Sequence, residues 1–406
     1  MPKTRHSHCG HVFVYRIFHF YFWRYGKWVE VVVDDRLPTI DGKLCYMKSQ
    51  ENNEFWSALL EKAYAKMYGC YENLEGGTTA EALEDFTGGL TEFFDLRKVA
   101  KTTVLSQMVR GMQMGSLFAC SIDADANIKE LQLSNGLICG HAYSLTSLHT
   151  VKNLKGKQVP LLRLRNPWGN SREWRGAWSD GSSEWRTIDE QTKEDLGIEF
   201  AQDGEFWMTF DDFYRNFTQM EVCNLSAAVM DEIAEMTGVD VKASQTYVWK
   251  ETSTDGEWST AKGTAGGCTN NPHSFYNNPQ YATYFTVPDT SLEKDGKCTV
   301  IVAVMQKYRR ELKSLGKDSL PIGFAVYACD GVKYTMHPRF FVQTTPVCRS
   351  GAFINVRQVT ARFRVPPGDY VTVPSTYDPN CDAEFLLRIY SNTRLMTKLL
   401  EKDPDY

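Results

Sequence analysis

A chain of 406 residues that is 42% hydrophobic and 23% charged has a soluble globular balance and room for two or three domains. No apolar run reaches the length of a membrane span, and a net charge of −5 argues against non-specific nucleic-acid binding. The N-terminal stretch is basic and aromatic and lacks an apolar core followed by a small-residue cleavage site, so it does not read as a signal peptide. Eleven scattered cysteines with no CxxC pair read as reduced intracellular thiols, and a cytoplasmic location is expected.

In chain order, aromatics alternate with other residues from Phe18 to Trp23. After a Tyr25-Gly26 turn the run WVEVVV continues to Asp34, which predicts a β-hairpin. Phe55, Leu59, Leu60, Ala63 and Met67 have helical spacing across 53–68. Gly76-Gly77-Thr78-Thr79 opens a second short helix, with Thr79 as the expected cap. Residues 103–114 read as an amphipathic helix, and 117–122, 140–148 and 159–165 as strands. Residues 226–245 read as a connector. Beyond them the pattern is β: strands are expected at 246–249, 281–287, 298–305, 323–328, 340–344, 362–365, 369–373 and 384–390. Turn residues separate them at short intervals, as in a β-sandwich.

Two motifs carry chemistry. His141 lies in GHAYSLT, between Gly140 and Ala142, where small neighbours leave room beside the ring. Asn166 opens an Asn-Pro-Trp-Gly turn in LRLRNPWG. Taken singly, a histidine in a strand is more often a satisfied core residue, and NPWG is an ordinary Asn-capped turn. Together they match the second half of a Cys–His–Asn protease site, in which an imidazole deprotonates a thiol and an amide oxygen holds the imidazole tautomer. Trp168 can shield that hydrogen bond from water, where it is stronger.

These stretches, with FWRYGKWVEVVVDDRLPT (22–39), NEFWSALLEKAYAKMYGCYENLEGG (53–77), EDFTGGLTEFFDL (84–96), GSLFACSID (115–123), DGEFWMTFDDF (203–213) and EVCNLS, resemble the calpains, calcium-dependent cysteine endopeptidases. TAGGCTNNPHSFYNNPQY (264–281) and PPGDYVTVPSTYDP (366–379) resemble the calpain C2-like β-sandwich. The resemblance spans about residues 17 to 391. It implies an α+β papain-like protease core followed by an all-β C2-like sandwich. The expected divisions are a non-family segment at 1–16, the remainder of core domain 1 at 17–89, core domain 2 at 90–225, the linker and sandwich at 226–391, and a tail at 392–406. By match, His141, Asn166 and Trp168 are the family's active-site histidine, asparagine and tryptophan.

The family's cysteine lies in a GQLGDCWF-like stretch several dozen residues before the FWRYG strand. Here that strand begins near residue 18, so an N-terminally truncated protease without its nucleophile is expected. Cys9 is the one candidate to set against this. An aromatic β-like run follows it, whereas a catalytic cysteine usually heads a helix that lowers the thiol pKa. His6, His8, Cys9 and His11 are too crowded at a chain end to make a strong metal motif.

The resemblance also implies Ca2+ sites of a non-EF-hand kind, built from carboxylate and carbonyl oxygens. Glu54 would belong to the first. Glu173 and Asp180 on one loop and Asp203 and Glu205 on another would form the second. NPWGNSREW is one residue longer than the family pattern, which bears on Glu173. The segment DADANIKELQLS (123–134) starts like an EF-hand but has Ile128 and Ser134 where Gly and Glu are needed. A penta-EF-hand small subunit is not an expected partner; protein substrates are. Anionic phospholipid is a further candidate partner, through Lys307, Arg309, Arg310, Lys313 and Lys317, giving a possible peripheral-membrane location, although a solvated loop explains that run equally well. The acidic loop at Asp289, Glu293 and Asp295 is sparse. The expected function is a calpain-type endopeptidase that is inactive as this chain, the alternative being a non-catalytic calcium- and phospholipid-binding regulatory form. An incomplete gene model of an active calpain fits the same residues.

Overall fold

The computed structural model describes residues 3–4, 16–49, 51, 53–74, 77–124, 128, 130–238, 248–288, 293–308, 316 and 318–404. Cys9, His6, His8, His11, Gly76, Asp289, Arg309, Arg310, Lys313, Lys317 and residues 246–247 lie outside them. The chain divides into two compact units, one containing Val29–Asn224 and the chain up to Phe22, the other containing Trp23–Trp28 and the chain from Leu225. Residues 17–89 and 90–224 therefore fall largely in the same unit.

The antiparallel strands β1 (Ile17–Arg24) and β2 (Lys27–Asp34) lie mostly in the first unit, while their turn end, Trp23–Trp28, is grouped with the second. Tyr25 and Gly26 both have positive φ, 50° and 90°, which is the conformation that a two-residue turn between twisted strands requires. One face of the hairpin carries Phe20, Phe22, Val31 and Val33 and buries them against Leu59 and Ala63 of α1 (Trp56–Tyr68). Helix α2 (Thr79–Thr87) follows. Its cap is Thr78, one residue before the expected Thr79: Thr78 is extended, and its hydroxyl accepts the Glu81 N–H at 3.2 Å.

A six-stranded antiparallel sheet carries the rest of this unit. Its strands are β3 (Leu90–Asp95), β4 (Leu117–Ser121), β5 (Ala142–Lys152), β6 (Gln158–Arg165), β7 (Glu205–Thr209) and β8 (Gln219–Asn224), in the order β7-β6-β5-β4-β8-β3. The expected helix and three strands of this region are present within a few residues of their predicted ends. Helix α3 (Lys101–Gln113) packs Val104 and Met108 into the core with Phe118, Tyr143, Leu164 and Phe206. A separate cluster gathers Trp178, Trp185 and Trp207 around Leu161.

In the second unit, Ser226 caps α4 (Ala227–Thr237), so part of the expected connector is helix. Two antiparallel sheets follow. One has the order β9 (Lys250–Trp258), β15 (Ala383–Ser391), β11 (Cys298–Gln306), β13 (Gln358–Val365). In the other, Cys348–Arg349 pairs with β12 (Pro321–Cys329), then β14 (Gly368–Thr376), β10 (Tyr281–Phe285) and β16 (Leu395–Leu399). Both sheets feed one core: Trp258, Val302, Phe385 and Leu387 from the first, Tyr281, Phe285, Phe324 and Val326 from the second.

Three sequence readings in this unit are corrected. The expected strand at 340–344 is a helix, α5 (Pro338–Gln343): Pro338 sits in the first turn, where its missing N–H is no loss, and Phe340 and Phe341 both pack on Tyr327. The edge strand β9 was not predicted, because KETSTDGEW is too polar to show a strand period, yet it pairs with β15 along its whole length. Leu395–Leu399, expected as tail, pairs with β10. Trp249 makes only an isolated bridge, to Ser226.

Candidate active site

The arms of the β5–β6 hairpin bring two residues 25 positions apart into contact. Asn153 closes the turn by accepting the N–H groups of Lys155 and Lys157, and the register runs from Lys152↔Gln158 to Ser144↔Arg165. His141, just before β5, and Asn166, just after β6, therefore meet at the open end. The His141 ring nitrogen Nε2 lies 2.9 Å from Asn166 Oδ1.

The amide has one permitted orientation. Asn166 Nδ2 donates to the Arg172 carbonyl at 3.0 Å, and Oδ1 accepts the Trp168 N–H at 3.0 Å. Oδ1 therefore faces the imidazole, and Nε2 must carry the proton of that bond. The Asn166 N–H donates to the Gly204 carbonyl at 2.8 Å, and the side chain is fully buried. Gly204 has φ +87°, and a Cβ there would lie 2.6 Å from the Asn166 carbonyl oxygen, so the close approach requires glycine. The Trp168 ring centre is 4.3 Å from the His141 ring, and the Tyr143 ring meets His141 edge-on at 5.2 Å. His141, Asn166 and Trp168 thus lie in contact with one another.

Sequence reading missed Glu130. Its Oε1 is 3.1 Å from His141 Nδ1. With Nε2–H committed to Asn166, Glu130 is the carboxylate that faces the remaining ring nitrogen, Nδ1. Glu130 lies in the segment dismissed as an EF-hand, and nothing in its spacing signals a histidine partner. No sulfur bonds to either ring nitrogen among the described residues. Cys120, Cys139 and Cys223 of this unit are buried, and burial pushes the Cys120 thiol well above its usual range.

The candidate metal residues separate into groups. Glu173 Oε1 accepts the Gly204 N–H at 2.9 Å, so the extra residue of NPWGNSREW does not carry Glu173 away from that loop. Asp180 is pushed up to about 6, by burial first and then by Glu173 and Asp203. Burial also raises Glu173, with Asp203 adding to the effect. These three carboxylates face one another electrostatically. Glu205 is instead held by Arg163 and by Arg165 at 3.1 Å. Glu54 stands apart, accepting the Ser49 hydroxyl at 2.9 Å. Among the described residues no three His, Cys, Asp or Glu side chains are close enough to ligate one metal ion. In the second unit Lys307, expected in an exposed basic run, is buried and paired with Asp255. Glu293 is buried and bonded to Arg364, Thr299 and Asn392, so it is not part of an open acidic loop.

Comparison with known proteins places the chain among the cysteine proteases. Residues 6–224 match the family described as calpain family cysteine protease, and residues 254–390 match calpain large subunit, domain III. The chain belongs to the calpain family. It is 63% identical over 391 residues to calpain clp-4 of Caenorhabditis elegans, covering 95% of this chain and 54% of that protein. It is 50% identical over 385 residues to calpain-B of Drosophila melanogaster, covering 93% and 40%. It is 44% identical over 394 residues to the calpain-1 catalytic subunit of Sus scrofa, covering 95% and 53%. The chain thus spans about half the length of the relatives it matches, or less. No helix among the described residues is long and apolar enough to cross a membrane.

Proposed function

We propose that this chain carries the general-base half of a calcium-dependent cysteine endopeptidase acting on protein substrates, and that the 406-residue chain by itself does not cleave them. The observation that carries the first part is the single permitted orientation of the Asn166 amide. An imidazole whose Nε2–H is fixed in this way presents Nδ1 as the only nitrogen able to take a proton from a nucleophile. Asn166 holds the tautomer, and Trp168 and Tyr143 pack on the ring and exclude water around the bond. The same pair supplies no nucleophile, and without a thiolate a positioned base leaves only weak hydrolysis by water.

Calcium is assigned to Glu173, Asp180 and Asp203: burial and neighbouring carboxylates raise the Glu173 and Asp180 carboxyls, a cost that a divalent cation would relieve once the three side chains, which as they stand are not close enough to ligate one ion, draw together. When bound, the ion supplies charge neutralisation that fastens the 173–180 loop to the 203–205 loop. The chain's own residues then relay that fastening: Glu173 holds the Gly204 N–H, and the Gly204 carbonyl holds the Asn166 N–H. Glu205 and Glu54 would join as further ligands only by leaving their present partners. The two-sheet unit is read as the C2-like domain. The cytoplasm is the proposed location. The reading as a non-catalytic regulatory form draws support from Glu130, which occupies Nδ1, the atom a catalytic thiol requires.

The test is a calcium-dependent peptidase assay with an epoxide thiol label on this chain and on Cys9→Ser. No turnover by either is expected. Robust cleavage abolished by Cys9→Ser would make Cys9 the nucleophile and overturn the second part of the reading. Cleavage by wild type that also disappears in His141→Ala supports the first part, and cleavage indifferent to His141→Ala sinks it.

A further inference from the structure

Two cysteines of the first unit take no part in the site. Among the described residues, Cys45 and Cys70 are the two that are exposed; the others are buried or half-buried. Each immediately precedes a tyrosine, and those tyrosines stack face to face: the Tyr46 and Tyr71 ring centres are 4.0 Å apart with an interplanar angle of 2°. The backbone around each cysteine is held in place. Cys45 follows the two-residue hairpin Thr39–Ile40 with Lys43–Leu44, and its N–H donates to the Pro38 carbonyl at 3.1 Å. The next N–H but one, that of Met47, donates to Glu61 of α1 at 2.8 Å. Cys70 follows Gly69, which ends α1 with φ 103°. The stack and the Glu61 bond therefore pin the exit of the hairpin to the end of α1, with one cysteine on each of the two segments that meet there.

The electrostatics agree with that placement. Burial raises the hydroxyl pKa of Tyr46, with Cys70 among the further contributors, and burial raises that of Tyr71, with Cys45 among them. Both cysteines thus act electrostatically on Tyr46, and Cys45 also acts on Tyr71.

We propose that Cys45 and Cys70 are a reversible dithiol–disulfide pair, a thiol-modification site whose oxidised form staples the hairpin to α1. The oxidant class is a peroxide. One thiolate attacks a peroxide oxygen, breaking the O–O bond and leaving a sulfenic acid and hydroxide, which takes up a proton as water. The second thiolate attacks the sulfenic sulfur, forming the S–S bond and releasing the sulfenic oxygen as a second water. Two thiols and one hydrogen peroxide give one disulfide and two waters, and two electrons pass from sulfur to oxygen. The buried thiols of this unit cannot compete, because peroxide must reach a solvent-accessible thiolate.

The experiment treats the full chain with hydrogen peroxide, then maps peptides without reduction and measures iodoacetamide uptake at each cysteine. Expected are a Cys45–Cys70 cross-linked peptide, a fall of about tenfold in labelling at both positions as a disulfide blocks alkylation, and recovery with dithiothreitol. In Cys70→Ser, Cys45 should stop at a sulfenic acid that dimedone captures. The apparent Tm should rise on oxidation of wild type and not of Cys45→Ser or Cys70→Ser. Independent oxidation of both cysteines to sulfinic acids without a cross-link overturns the proposal, as does pairing of either with a different cysteine in comparable yield. If a serine variant fails to fold, the wild-type peptide map alone still decides the pairing.

Discussion

Replacing Asn166 with alanine removes one fully buried side chain and leaves three groups without their partner: His141 Nε2–H, the Trp168 N–H and the Arg172 carbonyl. Leaving a buried donor or acceptor unsatisfied costs ~1–3 kcal/mol each. The Trp168 and Arg172 groups are only partly buried, so the low end applies, and the total is about 3 kcal/mol. A unit of roughly 200 residues loses ~2–4 °C of Tm per kcal/mol, which gives a fall of about 6–12 °C. The assay is thermal unfolding followed by tryptophan fluorescence, since Trp168 sits on the affected ring. Proton NMR of the ring supplies a second readout: the hydrogen-bonded Nε2–H resonance should be present in wild type and absent in the variant. A Tm within about 1 °C of wild type would mean that these three bonds contribute nothing net, and the argument for a locked tautomer would fail with them.

Two further outcomes follow from the carboxylates. Asp180 has a carboxyl raised from 3.8 to about 6, so the folded state favours its protonated form. Its contribution to stability is full below 3.8 and is lost as pH rises through about 6. Urea midpoints across that window should fall with pH in wild type more steeply than in Asp180→Asn, and parallel curves would refute the assignment. Calcium should give a binding heat by isothermal titration and raise the Tm of wild type, because the ion binds the folded state and relieves the repulsion. Asp180→Ala combined with Asp203→Ala should give neither, and equal heats from the two proteins would sink the site.

How much of this was legible in the sequence differs between local and non-local features. The first hairpin, the helix over Trp56–Tyr68 and the strands flanking His141 and Asn166 follow from periodicity and turn residues. Those signals are local: a two-residue alternation or a helical stripe needs no knowledge of what packs on it. The pairing of His141 with Asn166 was expected from the Cys–His–Asn pattern and the resemblance that carries it; the hairpin register that brings the two together came from the structure. Where a segment carries two compatible signals, the surroundings decide. The aromatic run after Pro338 suits a strand or a helix, and it is helical because Tyr327 offers a surface for Phe340 and Phe341. The polar stretch Lys250–Trp258 has no strand period of its own, and β15 supplies the partner that makes it one.

Side-chain partners lie at the far end of that scale. The residue types on the two acidic loops were readable, but not that Glu205 would turn to Arg163 and Arg165 while Glu173, Asp180 and Asp203 would face one another. The β6–β7 register sets Arg165 opposite Glu205 and so settles the choice. Glu130 at His141 Nδ1 and the stacked Tyr46–Tyr71 pair with its two thiols have no sequence signature either. The sequence by itself determined which residues could hold an imidazole, since that depends on residue chemistry and on the motifs that carry the family resemblance. Only the tertiary structure decided what meets its other nitrogen, because that contact joins segments whose approach is set by the register and packing of the whole sheet.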